Sequence, residues 1–235
     1  MKNIISNYPK ECIIIGGGNS IKPYISLLQP LCATKFVIAC NYAYKTFLNT
    51  FTVFQDKDWY HGHPNKNPDI YDELKKLPLI IGINHNGVEE FKLNNTVLLN
   101  KTEKENLTGV FALKLALRLM ETGTIYLFGY DWTRRTGLPE RDPNYSPKSN
   151  ISTHYYDNIK HRGIGYVGYY ENHNPDTDFK KIIKKDTLKI YNVSPESNIN
   201  CFEKINYEHM FSLLTNESIN QNDLRNQIKE ELCIL

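Results

Sequence analysis

No apolar run in this chain approaches the roughly 20 residues that cross a bilayer. The five cysteines, Cys12, Cys32, Cys40, Cys201 and Cys233, are odd in number and never spaced as a CxxC pair. That excludes a zinc framework and argues for buried thiols in a reducing compartment. Charge of one sign is also lacking. The net charge is +2, so no global field draws the chain to nucleic acid or to a membrane surface. The start, Met1-Lys2-Asn3, leads into a polar turn, and the expectation is a soluble, cytoplasmic protein without a secretory leader. Local basic clusters (Arg134-Arg135, Lys160-His161-Arg162 and the lysines of 180–185) read first as solvated faces.

What is present is one domain's worth of core. The chain has 235 residues, 40% of them hydrophobic, with 16 tyrosines adding contact area. Short Val/Ile/Leu runs bounded by turn residues predict strands at 12–15, 35–39, 52–55, 79–83, 96–99, 124–128 and 188–192. Helices are predicted at 21–28, 108–122 and 176–185, with Thr108 capping the second and Gly123 ending it. Buried strands alternating with helices point to a mostly parallel, doubly wound α/β sheet of Rossmann-like kind, whose ligands gather at the strands' carboxyl ends. Asn19, Asn41, Asp56 and Asp131 all fall at such ends. The periodic pattern fails at 133–172, which is rich in Pro, Gly and Tyr; a stretch that long inside a domain reads as a lid or acceptor-binding insertion. The expected division is a transferase-sized domain over 1–215 and a polar tail over 216–235, itself a candidate for a peripheral amphipathic helix.

Two constellations carry chemistry. Gly16-Gly17-Gly18-Asn19-Ser20 lies between a predicted strand and helix, where backbone N–H groups favour an anion. It has neither the Lys-Ser/Thr of a P-loop nor the third-glycine spacing of the dinucleotide fingerprint, so both are disfavoured. His173 follows a Gly/Tyr-rich loop and stands four residues before Thr177-Asp178, a placement that suits a general base. Asn41 can bond a base or ribose hydroxyl, or serve as a turn residue. His61, His63 and His85 offer no recognisable metal spacing.

In these blocks the chain resembles the bacterial lipooligosaccharide sialyltransferases of glycosyltransferase family 42, and more broadly the superfamily that includes an archaeal pterin diphosphokinase. The Gly16–Ser20 turn resembles the family's nucleotide-holding turn, and Cys40-Asn41 its second nucleotide-contacting asparagine. Thr108-Gly109-Val110 and Gly129-Tyr130-Asp131 are similar to its central helix and following strand end. His173 with Asp178 resembles the catalytic histidine block, and Ser194-Pro195-Glu196-Ser197 the closing turn. The resemblance implies transfer of a sugar from a CMP- or UDP-sugar to a glycan hydroxyl, without a metal. His173 would be the base. Asp178 would orient the helix start or the histidine, and the irregular segment offers Tyr145, Tyr155, Tyr156, Arg134, Arg135 and Arg162 as donors to the leaving phosphate, Tyr155, Tyr156 and Arg162 foremost. A nucleic-acid acceptor is the other expectation, from basic clusters interleaved with tyrosines. Three positions depart from the family: Glu105 replaces an arginine, Asp56 an asparagine and Thr133 a tyrosine. Asp56 fits the diphosphokinase branch equally, in which case Asp56 and Asp131 would hold Mg²⁺; a non-catalytic nucleotide-binding protein is the third reading.

Overall fold

The computed structural model describes residues 8–55, 68–85, 93–132, 174–183 and 186–233. Eight strands form one sheet: β1 (Glu11–Ile15), β2 (Phe36–Cys40), β3 (Phe51–Phe54), β4 (Ile80–Ile83), β5 (Thr96–Leu99), β6 (Gly123–Phe128), β7 (Leu188–Asn192) and β8 (Glu203–Lys204). Their spatial order is β5-β4-β3-β2-β1-β6-β7-β8, and every pairing is parallel. The chain therefore builds outward from β1 to one edge, returns, and builds outward from β6 to the other. β1 and β6 lie side by side with Ile15 opposite Phe128, so their carboxyl ends mark the topological switch point.

Helices cover both faces, as an all-parallel sheet requires. The strand period of 2 sends Cys12, Ile14, Ile38 and Cys40 to one face. There they meet α3 (Thr108–Leu119), α4 (Pro175–Ile182) and α6 (Gln221–Cys233). Ile13, Ile15, Val37 and Ala39 point the other way, onto α1 (Ile25–Thr34) and α5 (Tyr207–Leu213), with α2 (Pro68–Lys75) packed nearby against Phe54 and Ile80. The predicted α/β class is thus the observed one.

Several local expectations change. The helix expected at 21–28 is a 3-10 turn over Asn19–Tyr24 followed by α1. Pro23 has no N–H to give to Asn19, so an α-helix cannot begin at the glycine turn. Thr108 is the first helical residue of α3 and not its cap; Leu107 takes the cap position without a side-chain bond. Gly123 does not end α3, which closes at Met120. It opens β6 at φ +120°, where a Cβ would lie 2.1 Å from the Lys10 carbonyl oxygen. The segment after 215 is not peripheral: α6 seats Leu224, Ile228 and Leu232 in the core. The insertion at 133–172 lies outside the described residues.

Candidate functional site

The loops leaving β1, β6 and β7 are bound to one another at the switch point. Gly16 N–H donates to the Phe128 carbonyl at 2.7 Å and Gly18 N–H to the Gly129 carbonyl at 2.8 Å. Asp131, 5% exposed, is the centre of this junction. Its Oδ2 accepts from Ser20 N–H at 2.8 Å, and its Oδ1 from the hydroxyls of Ser20 and, at 3.0 Å, Ser194. The two serine hydroxyls are themselves 2.9 Å apart. The sequence places the glycines where the β6 loop passes closest: a Cβ on Gly18 would stand 2.4 Å from Asp131 Oδ2, and one on Gly16 2.7 Å from the Gly129 carbonyl oxygen.

The turn is thus engaged in part with the protein itself. The N–H groups of Gly16, Gly18 and Ser20 are turned onto the protein's own acceptors, and the carboxylate held at the start of the 3-10 turn is that of Asp131. The turn does what such turns do with anions, but the anion is internal. Asp131 consequently spends its oxygens on Ser20 and Ser194. Among the described residues no group of three or more His, Cys, Asp or Glu side chains could hold a metal ion.

Next to the junction lies a second polar row, along the carboxyl ends of β2, β3 and β4 and the entrance to α3. Asn41 follows β2 with φ +51°, a left-handed conformation that few residues other than glycine and asparagine adopt readily. Its Nδ2 donates to Thr108 Oγ1 at 3.5 Å, while its Oδ1 is buried and has no hydrogen-bond partner among the described residues. Gln55, after β3 and 2% exposed, accepts the Glu105 N–H on its Oε1 at 3.1 Å. Glu105 in turn pairs with Lys114 of α3 at 2.7 Å, and the same ammonium lies 3.1 Å from Glu103. His85, after β4, approaches the Gln55 carbonyl oxygen at 2.7 Å.

Tyr130 separates the row from the junction, and the sequence reading missed its part. Its ring fills the space left by two glycines. A Cβ on Gly16 would lie 3.2 Å from it and one on Gly109 2.9 Å. The hydroxyl donates to the Gly109 carbonyl at 3.0 Å and sits 3.8 Å from Cys40 Sγ. Burial, and then the neighbouring Cys40, push this hydroxyl well above the usual tyrosine range. Gly109 is therefore a packing glycine at the start of α3. The available signal was an aromatic set between Gly129 and Asp131 with a Thr-Gly pair upstream.

Of the residues assigned to chemistry, Asp178 is described and buried. Its Oδ1 accepts from Asn106 Nδ2 at 2.9 Å and lies 3.6 Å from Lys181, which ties α4 to the loop entering α3. Asn174 caps α4 by accepting the Asp176 N–H at 3.0 Å, so the helix begins at Pro175, one residue before the predicted start. His173, Tyr155, Tyr156, Arg162 and Asp56 lie outside the described residues.

No protein-family model matches the chain, and no curated protein matches it. Among solved structures it is similar to the MAf glycosyltransferase from Magnetospirillum magneticum AMB-1, with a TM-score of 0.58 and 15% identity. That match covers 98% of this chain and 38% of the other. The chain thus spans under half the length of that glycosyltransferase. A point mutant of the alpha-2,3/8-sialyltransferase CstII also matches, with a TM-score of 0.46 and 16% identity over 90% of this chain and 92% of that one. At such identity the likeness to the first of these is one of fold alone, a single parallel α/β sheet.

Proposed function

We propose that the chain is a transferase that seats a nucleotide-activated sugar at the carboxyl edge of its sheet and passes the sugar to an acceptor hydroxyl. The observation that carries this reading is Asn41. A residue held left-handed at a strand's carboxyl end, beside the start of a helix, keeps a buried carboxamide oxygen without a partner among the described residues. An unsatisfied buried acceptor costs about 1–3 kcal/mol, which a bound group with a donor would recover. A base amine or ribose hydroxyl is such a donor. In this reading the nucleotide lies along Asn41, Thr108 and Gly109, with Gly16, Gly17, Gly18, Asn19 and Ser20 forming its wall and Asp131 and Ser194 fixing that wall. The donor is a CMP- or UDP-sugar. The glycosyltransferase whose fold the chain shares supports the class by analogy.

The reaction follows from the residues the resemblance assigns. His173 takes the proton of the acceptor hydroxyl as its oxygen bonds the anomeric carbon. The bond from that carbon to the nucleotide phosphate breaks, and the phosphate leaves with the electron pair. Tyr155, Tyr156 and Arg162 supply donors to the charge that develops there. Asp178, through Asn106, ties α4 to the loop entering α3. The acceptor class is a glycan.

The test is thermal unfolding with CMP, UDP, GDP, ADP and ATP, each with and without Mg²⁺. A nucleotide at 100 times its Kd stabilises the folded state by about 2.7 kcal/mol, whatever the acceptor. CMP or UDP is expected to raise the midpoint without metal. Asn41→Gly, which keeps the left-handed backbone and removes the carboxamide, is expected to abolish the shift. A response to ATP alone, and only with Mg²⁺, would replace this reading with phosphoryl transfer.

A further inference from the structure

His85 is left over by everything above. It sits half-buried just beyond the carboxyl end of β4, and its Nε2 lies 2.7 Å from the backbone carbonyl oxygen of Gln55. A carbonyl oxygen only accepts, so Nε2 carries the hydrogen. In the neutral ring Nδ1 then presents a lone pair. Among the described residues the ring has no second hydrogen-bond partner. The contact to Gln55 therefore sets the tautomer and leaves one acceptor in reserve.

Its position joins it to the Asn41 row. Cys40 is level with Val53 and Phe54 with Gly82, so the ends of β2, β3 and β4 run side by side. Two interstrand spacings put His85 on the order of 10 Å from Asn41. The loop entering α3 spans the same interval: Thr108 meets Asn41 at one end, and Glu105 N–H meets Gln55, the residue that holds His85, at the other. Among the described residues, the row thus carries a buried acceptor without a partner, Asn41 Oδ1, and a second, half-buried one, His85 Nδ1, with no protein donor. A ligand matching both needs hydrogen-bond donors at both ends, with a length of one nucleoside or slightly more.

Resting on the nucleotide-sugar reading, we infer that His85 is a ligand-binding residue whose Nδ1 accepts a hydrogen bond from a hydroxyl of the bound donor, on its ribose or on its transferred sugar. Every ribonucleotide offers the ribose hydroxyls, and a glycosyl donor adds those of the transferred sugar.

The test uses His85→Gln in the full chain. Glutamine can still donate to the Gln55 carbonyl from its Nε2, but it removes the acceptor at the Nδ1 position. Unfolding without ligand checks that the variant is as stable as wild type. His85→Asn, which restores an acceptor near Nδ1, is the companion. Calorimetric titration then follows CMP, UDP, their 2′-deoxy forms, UDP-glucose and CMP-N-acetylneuraminate. A ribose contact predicts that His85→Gln weakens CMP or UDP tenfold or more, leaves the 2′-deoxy forms unchanged, and that His85→Asn regains part of the loss. A sugar contact predicts a tenfold loss for a sugar-loaded form alone. If wild type binds these compounds, Asn41→Gly loses them, and His85→Gln stays within twofold for all, the inference fails while the nucleotide reading stands. If wild type binds none of them, both fail.

Discussion

At the scale of single residues, the glycines show how far sequence reaches. A Gly-rich turn after an apolar run was enough to place Gly16–Ser20 at the carboxyl end of β1. What the sequence could not show is which neighbour the missing side chains admit, because Gly129, Tyr130 and Asp131 lie more than a hundred residues away. Gly18 has φ −63°, so its backbone would tolerate alanine, and the obstacle is contact alone. A Cβ there meets Asp131 Oδ2 at 2.4 Å and the Gly129 carbonyl oxygen at 2.7 Å. Either the Ser20–Asp131–Ser194 junction or the Gly18–Gly129 bond must open. Overpacking of this kind costs about 1–3 kcal/mol. Gly18→Ala is accordingly expected to lose about 2 kcal/mol or more in urea unfolding, and a loss below about 0.5 kcal/mol would mean that the turn has room the geometry denies it. Asn41 was legible as a strand-end residue, but its left-handed backbone was not, since asparagine occupies ordinary turns as well.

At the scale of elements, strands were legible and helix ends were not. β1 and β2 are buried along their whole length, so their sequences read as continuous apolar runs whatever surrounds them. Helices α2 and α5 went unseen, each only about two turns long, and β8 is only two residues long. The same complete burial has a chemical consequence for the thiols. Burial pushes Cys32, on α1, up to about 12; it does the same to Cys40, on β2, against the opposing effect of the Tyr130 hydroxyl. Cys12, on β1, is raised well above its ordinary value by burial and by Cys40. An unfolded thiol titrates near 8.5. The folded state therefore keeps protons that the unfolded chain releases between about pH 8.5 and pH 12. The stability these thiols contribute is full below that window and falls as pH rises through it, by about 2 kcal/mol per thiol at pH 10. Urea unfolding at pH 7.5 and pH 10 should show the drop, and Cys40→Ala should show a smaller one. Equal pH dependence in the two proteins would place the effect elsewhere.

At the scale of the whole molecule, the parallel sheet and its switch point followed from the order of elements, whereas the closure of its amino-terminal edge did not. The residues after 215 look polar because only every third or fourth one is apolar, which is the pattern of a helix with one buried stripe. The stripe, Leu224, Ile228 and Leu232, completes the core face shared with α3 and α4. Around it the segment bonds the start of the sheet. Lys35 pairs with Glu11 at 2.7 Å in the interior, and Thr215 bonds both Glu11 oxygens and, through its carbonyl, Lys35. Gln221 Nε2 donates to the Lys35 carbonyl, and Arg225 donates to the carbonyls of Asn49 and Thr50. The helix therefore bonds the amino ends of the strands, opposite the candidate site at their carboxyl ends. Ile228 is fully buried, and its truncation to alanine should cost about 2–5 kcal/mol. That is a large part of the 5–15 kcal/mol by which domains are ordinarily stable. Ile228→Ala is expected to lower the urea midpoint sharply while leaving nucleotide affinity unchanged under conditions where the variant is folded. Removal of residues 216–235 is expected to abolish the cooperative transition in circular dichroism. A shortened chain that still unfolds cooperatively near the full-length midpoint would show that the sheet closes without this helix.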